Sequence, residues 1–134
     1  MGAQAYSVLI TDDETGCREA LRSLLDHAGY RTLIATCGEE AIEIVRVERV
    51  HVALLDMHMP TLTGLEVIEI VRRYDSLLPC ILVTADATEG LMRQAFHARV
   101  YSVIPKPVSR NVVLYTVVRA LERAYGNMQG EGNP

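Results

Sequence analysis

Five short apolar runs punctuate this chain: Tyr6–Ile10, Arg31–Ala35, Val50–Leu55, Cys80–Val83 and Tyr101–Ile104. Within them, stretches such as Val-Ala-Leu-Leu and Ile-Leu-Val show no polar alternation, so each strand is expected to be buried on both faces. Segments of helical period lie between them. Cys17, Ala20, Leu21, Leu24 and Leu25 form one stripe, ended near Gly29. Ala41, Ile42 and Val45 form a second, and Leu65, Ile68 and Val71, followed by Arg72, a third. Leu91, Ala95 and Phe96 mark a fourth. Val113, Val117, Ala120 and Leu121 mark a fifth, opened by Ser109 as N-cap and closed by Gly126. Five strands alternating with five helices predict an α/β fold, (βα)5. Its parallel sheet would be covered on both faces and joined by right-handed crossovers.

A length of 134 residues suits a single domain that can bury its own core. No apolar run reaches the roughly 18 residues of a membrane span, and no signal-like stretch precedes AYSVLITDDE. A cytoplasmic protein without a membrane partner is therefore expected. A net charge of −4 argues against direct nucleic-acid binding, which favours a positive excess. Cys17, Cys37 and Cys80 form no C-x-x-C pair, so reduced thiols are expected rather than a zinc site or disulfides. His27, His51, His58 and His97 lack metal-ligand spacing as well. The tail GNMQGEGNP has no apolar anchor, so residues 126–134 are expected to be a flexible end or the start of a linker.

In open parallel sheets, sites form beyond the carboxyl ends of the strands. Thr11, Asp12, Asp13 and Glu14 follow the first strand, Asp56 the third, Thr84 the fourth and Lys106 the fifth. Lys106 is the single lysine among 13 basic residues, a compact point charge in a chain that otherwise uses arginine. Three crowded carboxylates resist ionisation unless they are compensated. Oxygen-only ligation favours Mg²⁺, which takes one or two carboxylates and keeps several waters. Asp12 or Asp13 could instead cap the first helix. Capping leaves Asp56 unexplained, a charge that closes a wholly apolar strand. A flavodoxin would set a phosphate dianion against Asp12 and Asp13, and the chain has no Trp for stacking on a flavin. A haloacid-dehalogenase-type, Mg-dependent phosphatase wants a second Asp two residues after the nucleophile. Here His58 stands two residues after Asp56, and Glu14 two after Asp12.

The ordered set Asp12-Asp13, DMHMPTLTG (Asp56 to Gly64), VTA (Val83 to Ala85) and Lys106-Pro107 resembles the receiver domain of two-component response regulators. The separations agree: 43 residues from Asp13 to Asp56, 28 more to Thr84 and 22 more to Lys106. The resemblance covers residues 6 to about 125 and implies a receiver domain over residues 1–125. It implies a doubly wound, flavodoxin-like sheet with strand order 2-1-3-4-5. Asp56 would accept a phosphoryl group from a phosphohistidine on a sensor histidine kinase or phosphotransfer protein. Asp13, Asp56 and the His58 backbone carbonyl would hold Mg²⁺, with Asp12 acting largely through water. Thr84 and Lys106 would bind phosphoryl oxygens, and Pro60 and Gly64 would shape the loop after Asp56. Lys106–Pro107 would be a cis bond. The family is a signalling phosphoacceptor, not an enzyme beyond its own phosphotransfer and slow autodephosphorylation.

Two positions depart from the family pattern. The aromatic three residues before the lysine is Val103 here, and Tyr101, two residues earlier, is expected on the same face of the strand but too far along to replace it. Arg99-Val100 stands where the family has Gly-Ala. These departures argue against the usual threonine–aromatic coupling and leave the phosphorylation chemistry in place. A phosphorylation-independent interaction module of the same fold is the alternative. The fourth helix, fifth strand and fifth helix could form a homodimer face, though ordinary packing explains Val103, Tyr115 and Val118 equally well.

Overall fold

The structure, a computed structural model, describes residues 6–131. Its elements run β1 (Ser7–Thr11), α1 (Thr15–His27), β2 (Arg31–Ala35), α2 (Gly38–Val47), β3 (Val52–Asp56), α3 (Gly64–Val71), β4 (Cys80–Thr84), α4 (Glu89–His97), β5 (Ser102–Pro105) and α5 (Arg110–Glu131). All strand pairs are parallel, in the order β2-β1-β3-β4-β5. The expected doubly wound architecture and strand order are both present.

The unbroken apolar runs are explained by two cores, one on each face of the sheet. Leu9, Ala53, Leu55 and Leu82 face α2, α3 and α4, meeting Ala41, Val67, Ile68 and Leu91. Val8, Ile10, Val52, Leu54, Ile81 and Val83 face α1 and α5, meeting Leu21, Leu25, Val113 and Val117. Adjacent strand residues thus enter opposite cores, as the period of two requires. Each fully buried Leu or Ile side chain contributes about 2–3 kcal/mol of transfer free energy.

β1, β3, β4 and β5 each end one residue later than their apolar runs, on Thr11, Asp56, Thr84 and Pro105. The backbone ladder takes no notice of side-chain polarity. It even runs past the strand ends: Asp12 N–H donates to Ala35 O (3.3 Å), Met57 N–H to Val83 O (2.9 Å) and Lys106 N–H to Thr84 O (2.8 Å). β1, β3 and β5 also start one or two residues later than their apolar runs, the runs at Tyr6, Val50 and Tyr101 giving way to strands at Ser7, Val52 and Ser102.

Gly29 (φ 95°) makes the left-handed turn after α1, with Tyr30 N–H donating to Leu25 O at 3.2 Å. Ser109 precedes α5, with its Oγ 3.5 Å from the Val112 N–H. Three expectations need correction. Phe96 is not on the buried stripe of α4: Leu91 and Ala95 are buried, whereas Phe96 is 80% exposed, turned off their line by its spacing of five from Leu91. Gly126 does not close α5, which continues to Glu131. A helical glycine costs only about 1 kcal/mol relative to alanine, too little to end a helix. Of the expected tail, residues 132–134 lie outside the described residues. Tyr101 does not share a face with Val103. It packs in the α1–α5 core and Val103 against the α2–α4 core, because β5 and its alternation begin only at Ser102.

Arg99 closes α4 in the left-handed region (φ 59°), its N–H donating to Phe96 O (3.1 Å) and its carbonyl accepting from Arg72 Nη2 (2.8 Å). An L-residue with a Cβ is strained there by roughly 1–2 kcal/mol, and glycine is not. Because the backbone carbonyl supplies the contact to Arg72, Arg99→Gly should keep it. The substitution is expected to raise stability by about 1 kcal/mol, read as a higher urea midpoint at unchanged m-value. A lower midpoint would show that the Arg99 side chain contributes more than its backbone strain costs.

Candidate functional site

Strand order reverses between β1 and β3, where crossovers leave the sheet in opposite directions and open a crevice at the carboxyl edge. Asp12, just past β1, and Asp56, the last residue of β3, are buried there, at 1% and 5% exposure. Asp13 lies beside them and is exposed. One carboxylate oxygen from each of Asp12, Asp13 and Asp56 falls within 4.8 Å of the others.

Asp12 Oδ1 accepts the Glu14 N–H (2.9 Å), while its carbonyl accepts from Arg18 Nη1 (2.9 Å). The helix N-cap is Glu14, which makes no side-chain cap bond, so neither aspartate caps α1. Asp12 Oδ2 is buried with no hydrogen-bond donor placed on it, and its charge is met by the Lys106 ammonium at 3.2 Å. Asp56 Oδ1 lies 3.3 Å from the same Lys106 Nζ and 3.4 Å from the His58 N–H. Burial, then the Asp12 charge, push the Asp56 carboxyl up to about 6, against the opposing pull of Lys106. Burial also works against the Lys106 charge, but Asp12 and Asp56 outweigh it and raise its pKa above the ordinary lysine value. Cys17 sits against Asp12, and burial together with that carboxylate pushes its thiol up to about 12, which disfavours the thiolate.

Thr84 ends β4 fully buried, its Oγ1 accepting the Asp86 N–H at 3.1 Å. The Lys106–Pro107 peptide is cis, the isomer the resemblance implied. Gly64 is buried against β3, where an added Cβ would lie 2.7 Å from the Asp56 carbonyl oxygen. Pro60 is exposed, and its carbonyl accepts the Leu62 N–H (2.8 Å) in a tight turn centred on Thr61 (φ 74°). His58 is also exposed. Val103 pairs in register with Leu82 and is half-buried, so the position three residues before Lys106 carries no aromatic ring.

Two features escape a reading of the sequence. Glu14 Oε1 reaches Lys106 Nζ at 3.6 Å, which no spacing rule marks out. Thr63 and Glu66 form a capping box that fixes the start of α3 just after the Asp56 loop, and the T-x-x-E pattern could have found it.

The donor set suits a hard divalent cation: oxygen ligands only, three carboxylates close enough to share an ion, and a buried oxygen of Asp12 lacking a hydrogen-bond donor.

A family model described as response regulator receiver domain matches residues 8–118. Response regulator RR06 of Streptococcus pneumoniae serotype 2 is 32% identical over 120 residues, 89% of this chain and 54% of that protein. Response regulator MprA of Mycobacterium leprae is 33% identical over 116 residues, 87% of this chain and 51% of that protein. The chain thus spans about half the length of these curated relatives. Among solved structures, a CheY-like receiver domain from Methanospirillum hungatei superposes with a TM-score of 0.87 at 24% identity, covering 91% of this chain and 98% of that one. Chemotaxis protein CheY4 of Vibrio cholerae gives 0.83 at 26% identity, covering 87% and 98%. A family match across most of the sheet and helices, with relatives above 30% identity along most of the chain, joins the acidic crevice in one conclusion: the chain belongs to the response regulator receiver domain family.

Proposed function

We propose that this receiver domain takes a phosphoryl group onto Asp56 from a histidine kinase or phosphotransfer protein. The observation that carries the proposal is the placing of the buried Asp56 carboxylate beside those of Asp12 and Asp13 and 3.3 Å from the Lys106 ammonium. An Asp56 carboxylate oxygen attacks phosphorus, forming a P–O bond as the P–N bond to the donor imidazole breaks, and the imidazole leaves with the electron pair. Asp13, Asp56 and the His58 carbonyl would hold Mg²⁺, with Asp12 acting through water. The bound cation supplies neutralisation of the phosphoryl oxygens. Lys106 pairs with one phosphoryl oxygen, and the Thr84 hydroxyl donates to another.

Phosphoryl binding then biases two states of the domain, since only a group with differential contacts can shift such an equilibrium. With Val103 in place of an aromatic, the shift of Thr84 is not read by a ring at that position. Met92 and Phe96 on α4 and Tyr115 and Val118 on α5 are exposed, and this face could take a second copy or an output segment.

The domain incubated with Mg²⁺ and acetyl phosphate is expected to gain one phosphoryl mass on the intact protein. The gain should disappear with chelator and in Asp56→Asn. No added mass with Mg²⁺ present, or mass that survives in the variant, would overturn the assignment and favour an interaction module that works without phosphate.

A further inference from the structure

An ammonium has three N–H donors, and three carboxylates surround that of Lys106. Asp12 Oδ2 lies at 3.2 Å, Asp56 Oδ1 at 3.3 Å and Glu14 Oε1 at 3.6 Å. The three carboxylates crowd the ammonium within 3.6 Å, so a phosphoryl oxygen on Asp56 approaches Lys106 by displacing one of them. Asp12 cannot yield cheaply, because its side chain is 1% exposed and Oδ2 has no hydrogen-bond donor to fall back on. Releasing it would strand a buried charge. Asp56 is itself the group being modified. Glu14 makes the longest of the three contacts, and its side chain is 70% exposed, so water solvates it as soon as it lets go. Its backbone stays fixed meanwhile, because its N–H is held by Asp12 Oδ1 at 2.9 Å.

We infer that Glu14 is the exchangeable partner of Lys106, holding the ammonium while Asp56 is bare and ceding it to the phosphoryl group. Glu14 therefore opposes phosphorylation twice: it competes for the lysine, and it sets a negative charge at the mouth through which an anionic donor enters. It is a positioning residue acting through Lys106, and the inference rests on the phosphoacceptor role of Asp56.

Lys106 is the sole lysine of the chain, so protein grown on ¹³Cε-labelled lysine reports this contact in a single resonance. In the unmodified domain Glu14→Gln should shift that resonance. With Mg²⁺ and beryllofluoride the variant and the wild type should give coincident signals. Acetyl phosphate in limiting amount should phosphorylate Glu14→Gln about two- to fivefold faster at low salt, the range set by exposed ion pairs. The advantage should collapse at about 1 M salt, where screening acts within a few ångströms, a dependence that a purely structural role at the α1 N-cap would not show. An unshifted lysine, equal rates at low salt, or a gain indifferent to salt overturns the role of Glu14 alone. Absence of phosphoryl uptake by both proteins overturns the Asp56 reading and this one with it.

Discussion

Asparagine in place of Asp56 is expected to stabilise the metal-free domain at pH 7.5 by about 2–3 kcal/mol while abolishing phosphoryl uptake. The stability gain follows from linkage. Burial and the neighbouring Asp12 raise the Asp56 carboxyl from an ordinary 3.8 to about 6. Between those values the folded state binds more protons than the unfolded state, so stability falls as pH rises through the window. The deficit is complete above about pH 7, and raising a carboxyl tenfold in proton affinity costs its charged form about 1.4 kcal/mol. Asparagine keeps the shape and removes the charge. Urea denaturation in the presence of chelator should therefore show a gap between the two proteins at pH 7.5 that closes towards pH 4. Millimolar Mg²⁺ should narrow the gap at neutral pH by stabilising the wild type alone. A gap that ignores pH, or that favours the wild type, would show that the ion pair with Lys106 outweighs burial and repulsion. The Asp56 carboxylate is then expected to be held at a cost in stability, as charged groups in crowded sites commonly are.

Gly64→Ala should destabilise the domain by about 2–3 kcal/mol, although alanine is the better helix former by about 1 kcal/mol. The added Cβ would lie 2.7 Å from the Asp56 carbonyl oxygen, 3.0 Å from Leu82 Cδ1 and 3.1 Å from Met57 Cα. Two of those atoms are backbone and cannot rotate away. The Gly64 N–H also donates to the Met57 carbonyl at 2.9 Å, holding the start of α3 against the end of β3. Relief requires α3 to lift from the strand that carries Asp56, so the substitution should also slow phosphoryl uptake. An unchanged urea midpoint with unchanged uptake would show that the contact relaxes without cost.

The sheet is legible in the sequence because burial on both faces leaves an unmistakable pattern, and Val50–Leu55 reads as a buried strand from its apolar run alone. Strand ends fall one residue short because hydrophobicity stops at Leu55 while the hydrogen-bond ladder continues through Asp56. Phe96 is misplaced for a related reason: an apolar residue near a stripe is assumed to belong to it, yet α4 buries only one narrow line. The site residues are legible through their placement after strands, since topology brings all carboxyl ends to one edge. Glu14 is not, because several exposed carboxylates lie nearby in sequence and only side-chain geometry decides which of them reaches Lys106. Tyr101 is misread because the alternation of β5 does not extend back past Ser102, where the strand begins.

The open sheet leaves two borders, β2 and β5, that end in unpaired backbone. β5 is only four residues long, and Pro105, its last, has no N–H to offer an incoming strand. β2 opens on Arg31, whose guanidinium is tied to Glu48 at 3.1 Å and keeps charge on that rim. Short length, proline and charge are the features that keep exposed borders from templating foreign strands. Both borders of the sheet are thereby guarded against edge-to-edge aggregation.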